Sequence, residues 1–273
     1  MTDLAVRRLL IDLQTPFARH WCHGDAFLSA FFNALSMSFP TGEQFFIDAV
    51  RDSAGKLPPE EQAARQAEVR SFIGQEATHR RIHARFNAPL ERHGLVTAWG
   101  PRGQARMQLM AGAGARHALA ITAATEHFTA IFAEWMLRHP NLMGGAQARP
   151  RSLGLWHSAE EAEHTSTALD LYQALCGNHA WPLLWFKRIS SVSLGGLWRP
   201  TVDNLRRDGT LWQWRTWRSA ARHLLGRNGL LRETWRPWRA YFEPGFHPGQ
   251  NDSAMSAGWL RANAAQCTLV GRN

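Results

Sequence analysis

The sequence predicts an all-α protein, a four-helix bundle followed by a helical extension rich in Trp and Arg. Apolar residues recur at helical spacing over long stretches. Helix start and stop signals divide the region 23–178 into four segments. No stretch shows the alternation expected of a strand. With 273 residues, 45% of them hydrophobic, the chain is long enough to bury a substantial core.

Local signals delimit each predicted helix. In the first, a Pro-Thr-Gly triplet at 40–42 predicts a kink or a restart. Pro58 and Pro59, followed by two acids, are typical of a helix start and mark the second helix. Pro89 marks its end, and Gly177 ends the fourth helix. The four helices are predicted over about 24–53, 58–86, 104–138 and 151–176.

Composition changes after the predicted bundle. We therefore divide the chain into a bundle at 1–180 and a basic, Trp-rich helical extension at 181–273 that packs on it. The extension holds nine of the thirteen Trp residues. Between 181 and 240, 12 Lys and Arg stand against 3 Asp and Glu.

A pattern typical of metal ligands occurs twice within the bundle. In each copy a lone Glu, with an aromatic residue two positions later, precedes an E-A-x-H tetrapeptide. The separation between the lone Glu and the tetrapeptide is 33 residues in the first copy and 35 in the second. Chance rarely produces such a repeat. The six predicted metal ligands are Glu43, Glu76, His79, Glu126, Glu161 and His164.

Helix geometry explains the spacing of these residues. Residues i and i+3 share a helix face, so the Glu and His of each tetrapeptide can reach the same point. Two such helices facing two single-Glu helices form the dinuclear site of ferritin-like four-helix bundles. The oxygen-rich donor set, with two imidazoles and no thiolate, favours two iron ions, with manganese or zinc as alternatives.

Several neighbouring residues compete for roles in this site. Glu160 is an alternative to Glu161 as a ligand, because it lies four residues before the second His. Glu163 is expected to face away in a surface ion pair. His83 and His157 continue the ligand stripes by one turn, and we interpret them as catalytic acid/base groups or as donors that support the ligands.

Four sequence elements together resemble the bacterial family of predicted metal-dependent hydrolases. These elements are GEQFF, FIGQEATHRRIHARFN, TAATEHFTAIFAEW and LWHSAEEAEHTSTALDLY. The resemblance extends from about residue 20 to the tail FEPGFHPG. It implies a ferritin-like helical scaffold, metals held by the same six residues, and His83 and His157 as parts of the same motifs.

Three functions are consistent with such a site. The preferred one is an O₂-activating di-iron oxygenase or oxidase acting on an apolar or amphipathic small substrate. The alternative is a hydrolase that uses a water bridging the two metals, and the second alternative is a non-catalytic helical metal-binding protein. Five aromatic residues near the ligands could line a substrate pocket: Phe45, Phe46, Phe72, Phe128 and Trp156.

The net charge of +9 indicates an acidic partner surface. The expected partners are a small, lipid-like substrate, a membrane contacted peripherally through 181–240, and a second copy of the chain in a homodimer. Nucleic acid is disfavoured, because no binding motif accompanies the charge. Three scattered Cys residues and the lack of a signal peptide or spanning segment predict a cytoplasmic protein, with membrane association as an alternative.

Overall fold

The computed structural model describes residues 4–95, 114–177, 180–250 and 253–270, with a few isolated positions between 96 and 113. The described chain is mostly helical, which confirms the all-α prediction. The helices are α1 (Ala26–Ala54), α2 (Pro59–Arg92), α3 (Ala115–Arg138), α4 (Ala148–Glu161), α5 (Thr167–Cys176), α6 (Ala180–Arg207), α7 (Trp214–Leu225), α8 (Leu230–Ala240) and α9 (Ala254–Ala262). Short 3₁₀ helices span Pro140–Met143, Pro248–Gln250 and Ala264–Gln266, and two strands are β1 (Arg7–Leu9) and β2 (Cys267–Leu269).

Helix α1 begins at a side-chain cap and does not restart at the predicted interruption. The Asp25 carboxylate accepts a hydrogen bond from the Leu28 backbone N–H at 2.9 Å, which satisfies one of the free donors of the first turn. The helix continues through Pro40, so of the kink or restart expected at 40–42 the restart is wrong, and the kink stays a prediction. Proline there removes one backbone hydrogen bond, and burial of apolar residues on both sides offsets that loss.

Helix α2 begins at Pro59, as the Pro-Pro-acid signal predicts. It runs to Arg92 and therefore passes Pro89, where the sequence predicted its end. For the third helix, the predicted start at residue 104 lies outside the described residues, and α3 is described from Ala115.

The predicted fourth helix is two helices, α4 and α5, separated by a tight turn. The Glu163 N–H donates to Glu160 O at 2.9 Å and the Thr167 N–H donates to His164 O at 3.2 Å, so short i to i−3 bonds replace the helical pattern. Side-chain hydroxyls in the run of residues 165–167 favour such turns over a helix interior. The expectation of one continuous helix over 151–176 is therefore wrong.

Helices α1 and α3 are central to the packing of the molecule. Helix α1 packs along α2, α3 and α6, while α3 also contacts α4, α5 and α6. Helix α6, the first of the Trp-rich region, thus lies on the groove between α1 and α3. No described helix is long and apolar enough to cross a membrane.

The two strands form a small antiparallel ribbon that the sequence analysis missed. Arg7 pairs with Leu269 and Leu9 with Cys267, and each strand has only three residues, too few for a recognisable alternation. The ribbon lies close to α2, because a Cβ at Gly74 would stand 2.6 Å from Val6 Cγ2. The absence of a side chain at Gly74 allows this close approach.

Candidate metal centre

The structure brings the six predicted ligands together, although they come from four helices and one turn. Glu43 lies in α1, Glu126 in α3, and Glu161 is the last residue of α4. Glu76 and His79 lie one turn apart in α2 and are fully buried. His164 is not on a helix as expected, but in the turn after α4. All six side chains are buried: Glu43, Glu76, His79, Glu126, Glu161 and His164.

Two carboxylates and two imidazoles form the tightest group. One ligand atom from each of Glu76, His79, Glu161 and His164 lies within 4.8 Å of the others. Oε1 of Glu76 is 3.6 Å from His79 Nδ1 and 3.3 Å from His164 Nε2. Oε1 of Glu161 is 3.7 Å and 4.0 Å from the same two nitrogens. This arrangement of oxygen and nitrogen donors around one point suits a divalent metal ion.

A second group joins Glu43 to the two histidines interpreted as catalytic. Ligand atoms of Glu43, His83 and His157 also lie within 4.8 Å of one another. His83 Nε2 is hydrogen-bonded to His157 Nδ1 at 2.7 Å, and His157 Nε2 donates to Glu161 Oε1 at 2.9 Å. Both histidines therefore lie close enough to serve either as metal ligands or as acid/base groups beside a metal.

Buried ligand atoms without hydrogen bonds show that the site fits a cation. In a folded protein, a buried polar atom almost always has a partner. Within the described part of the chain, seven such atoms on five of the six residues have no hydrogen-bond partner. They are both carboxylate oxygens of Glu43 and of Glu76, Oε1 of Glu126, Nδ1 of His79 and Nε2 of His164.

The electrostatics of the centre also suit a cation. Burial, and next the carboxylate of Glu76, raise the pKa of Glu43 well above its usual range. Burial raises the pKa of Glu126 to about 8, even though His164 acts in the opposite direction. Burial would lower the pKa of His164, but Glu126 and the other carboxylates raise it to about 10. A cation bound among these groups would favour the ionised carboxylates and the neutral imidazole.

Glu160, the competing ligand, faces away from this centre and supports His79 from behind. Its Oε2 accepts a hydrogen bond from His79 Nε2 at 2.9 Å, which leaves His79 Nδ1 directed at Glu76 and Glu161. Arg7 donates to Glu160 Oε1 at 3.2 Å and binds both carboxylate oxygens of Glu163 at 2.7 and 3.1 Å. A carboxylate behind a ligating imidazole fixes the ring and increases its basicity.

Replacing Glu160 with Gln should weaken metal binding roughly tenfold or more, because His79 loses the negative charge that supports it. A chelator-competition titration measures the affinity. The matched control is Glu163→Gln, which changes a carboxylate on the same turn but leaves the contact between His79 and Glu160. Equal affinities in the two variants would contradict the role of Glu160.

Two further residues escaped the sequence analysis. Thr129 donates to Glu161 Oε2 at 2.8 Å, and its spacing of three residues from Glu126 could have shown that both share a helix face. Arg7 lies more than 150 positions from the carboxylates that it binds. No local pattern could have revealed that contact.

An apolar cavity of about 400 Å³ lies beside the metal centre. Its lining includes His83, His157 and Thr129, of which His157 and Thr129 are hydrogen-bonded to Glu161. Phe39 packs over both imidazoles with ring centroids at 4.6 and 4.3 Å. Of the five aromatic residues expected to line a pocket, only Phe128 does so. The other four belong to the packed core: Phe45, Phe46, Phe72 and Trp156.

The comparison with known proteins corrects the preferred function. The sequence profile of one family, described as "Predicted metal-dependent hydrolase", matches residues 5–252, whereas no curated protein and no solved structure matches the chain significantly. The description supports metal dependence and hydrolysis, so the expected oxygenase or oxidase is wrong. That expectation came from the scaffold, and carboxylates and imidazoles hold Lewis-acidic ions as well as redox-active ones. Since the match spans most of the sequence, the chain belongs to the family of predicted metal-dependent hydrolases.

Proposed function

We propose that this protein hydrolyses a small apolar or amphipathic substrate with two metal ions held by the six buried ligands. The observation that carries the proposal is the set of unpaired buried donors beside an apolar cavity that His83 and His157 help to line. A substrate in the cavity would meet His83, His157 and Thr129 before any other polar group of the centre. The proposed ligands are Glu43, Glu76, His79, Glu126, Glu161 and His164.

The six proposed ligands also bear on the type of helical scaffold and on the identity of the metals. We propose that α1 to α4 form a ferritin-like bundle, because each of these helices contributes at least one of the carboxylates. Oxygen donors predominate and two imidazoles complete the set, which favours iron or manganese, with zinc as the alternative. Divalent ions at such a site polarise the bond to be cleaved and lower the pKa of water.

The chain itself supplies a route for protons. His157 Nε2 donates to Glu161, so the neutral ring presents Nδ1 as an acceptor towards His83 Nε2 at 2.7 Å. On its other side, His83 Nδ1 is 2.8 Å from Ser36 Oγ, which is 2.7 Å from Asn87 Oδ1. Burial, and then the neighbouring imidazoles, hold the pKa of His83 well below its usual range. A neutral pair of imidazoles can take up a proton at the metal centre and pass it to a leaving group.

The apolar wall of the cavity keeps bulk water away from this end. Phe39 covers both imidazoles, and Trp156, which is fully buried, packs edge-on against His79 with ring centroids 5.0 Å apart. In such surroundings charge interactions are stronger than in water. The residues around the histidines therefore favour proton transfer between defined groups over exchange with solvent.

The proposal is tested by turnover of chromogenic esters and phosphoesters under anaerobic conditions. Protein stripped with a chelator should be inactive, and addition of Fe²⁺, Mn²⁺ or Zn²⁺ should restore hydrolysis without O₂. Protein carrying the substitution Glu76→Gln serves as a matched preparation that controls for contaminating hydrolases. A fully metal-loaded protein that cleaves neither ester class would favour a non-catalytic metal-binding role instead.

A further inference from the structure

One face of α6 is exposed and apolar although the helix is packed on its other side. Every third or fourth residue from 184 to 198 lies on this face, which is the spacing of a single helical stripe. Phe186 and Leu197, on the opposite side, are buried. Exposed fractions along the stripe reach 56% at Leu184 and 42% at Leu194. The stripe consists of Leu184, Lys187, Ser191, Leu194 and Trp198.

Neighbouring helices extend this surface. The ring of Trp198 contacts that of Trp217 on α7, with centroids 5.9 Å apart. Leu231 and Trp235 of α8 are 40% and 56% exposed and border the same opening as Leu194. We call the stripe, together with Trp217, Leu231 and Trp235, the mouth face. A contiguous apolar surface of this kind marks an interaction site on a protein.

Much of the mouth face lines the cavity that also contains His83 and His157 beside the metal centre. Five exposed residues line that cavity. They are Lys187, Ser191 and Leu194 from α6, and Leu231 and Trp235 from α8. A hydrocarbon chain could thus pass from the surface to the centre along an almost entirely apolar wall. Besides the two inner histidines, Lys187 is the only residue with an ionisable side chain among the described lining residues.

The surroundings of the mouth face are strongly basic. Between 181 and 240, 12 Lys and Arg stand against 3 Asp and Glu. Five exposed Arg residues of this region pair with no carboxylate in the described structure. They are Arg188, Arg199, Arg218, Arg232 and Arg236. A second copy of the chain on this face would bring like charges together, which a symmetric interface disfavours.

We propose that the mouth face docks on an anionic membrane and that the cavity accepts the hydrocarbon chain of an amphiphile from that membrane. Trp side chains favour the membrane–water interface, and each basic residue near an anionic bilayer strengthens binding. Exposed apolar side chains between them would enter the headgroup region. The proposed membrane docking does not depend on the proposed hydrolysis. The role of the amphiphile as a substrate rests on the proposed function.

Co-sedimentation with vesicles tests the docking. The full-length protein should bind phosphatidylcholine vesicles containing phosphatidylglycerol, and binding should weaken with salt. Two double variants should each lower the partition coefficient roughly tenfold or more. One combines Leu194→Ser with Trp235→Ser, and the other combines Arg232→Gln with Arg236→Gln. The matched controls, Leu10→Ser with Met255→Ser and Arg70→Gln with Arg81→Gln, change exposed residues elsewhere and should bind like the original protein.

Several results would overturn the docking. The docking is contradicted if the protein does not bind anionic vesicles at low salt, or if it binds neutral vesicles equally well. It is also contradicted if the control substitutions weaken binding as much as the mouth-face substitutions do. A dimer in light scattering that the mouth-face substitutions dissociate would assign the surface to a second copy. Circular dichroism of each variant identifies loss of folding, and folded variants that bind like the original protein contradict the proposal.

Occupancy of the cavity is measured without turnover. A fluorescent long-chain fatty acid should bind the protein with or without metal, and dodecanoate should displace it far better than butyrate. Alkyl binding without hydrolysis would contradict only the proposed function. Hydrolysis without any preference for chain length would contradict the role of the cavity.

Discussion

Replacing Glu76 with Gln should remove at least one metal ion per chain while leaving the metal-free protein no less stable. Oε1 of Glu76 lies 3.6 Å from His79 Nδ1 and 3.3 Å from His164 Nε2. The Glu76→Gln variant would therefore carry an amide, a poor metal ligand, where the native protein has a carboxylate between two imidazoles. Because the Glu76 carboxylate also helps to raise the pKa of Glu43, its removal relieves repulsion between buried carboxylates. Hydrolysis should fall by more than the roughly 100-fold that accompanies loss of a supporting group.

Metal content by mass spectrometry and urea unfolding of chelator-treated protein measure the two effects separately. Glu68→Gln, two turns earlier on α2 and partly exposed, is the matched control and should retain both ions. Two ions retained in the Glu76 variant would contradict the ligand assignment. A large loss of stability in the metal-free state would show that Glu76 has a structural role instead.

Replacing His83 with Gln should lower turnover at least about 100-fold, as expected for loss of an acid/base group, while metal content stays near that of the original protein. His83 Nε2 is hydrogen-bonded to His157 Nδ1 at 2.7 Å and lies beside Glu43. His157→Gln should have the larger effect on metal content, because His157 Nε2 also holds Glu161 Oε1 at 2.9 Å. The ratio of turnover to bound metal is therefore the informative quantity.

His93→Gln is the matched control, since His93 follows α2 about three turns after His83 and lies at the end of that helix. It should leave turnover and metal content unchanged. If His83→Gln and His157→Gln each remove one ion, then Glu43, His83 and His157 form a second metal site. In that case the six-ligand assignment would need revision.

The sequence predicted the helices and the meeting of the ligands because both depend on periodicity. Glu76 and His79 share a helix face by their spacing alone, and both are fully buried in the structure. The same logic misplaced His164, because it assumed a continuous helix. The turn at 162–166 directs His164 Nδ1 to Glu126 Oε2 at 2.8 Å, a contact between distant segments that no local pattern encodes.

Supporting contacts were less predictable than ligands. Glu160 and Glu161 are adjacent in the sequence, and spacing alone could not decide which of them faces the centre. The structure separates them, because Glu160 bonds to His79 Nε2 and to Arg7, whereas Glu161 bonds to His157 and Thr129. The function was also underdetermined, since the same donors serve hydrolysis and redox chemistry.

The ribbon of β1 and β2 has a consequence for how the protein is synthesised. Arg7 belongs to β1, which leaves the ribosome long before its partner β2, and all of the described helices are made between the two strands. Contacts between segments so far apart in sequence form late in folding. Arg7 also binds Glu160, which supports His79, so the ribbon holds a residue that acts on the centre. We expect chains that lack β2 to bind metal more weakly.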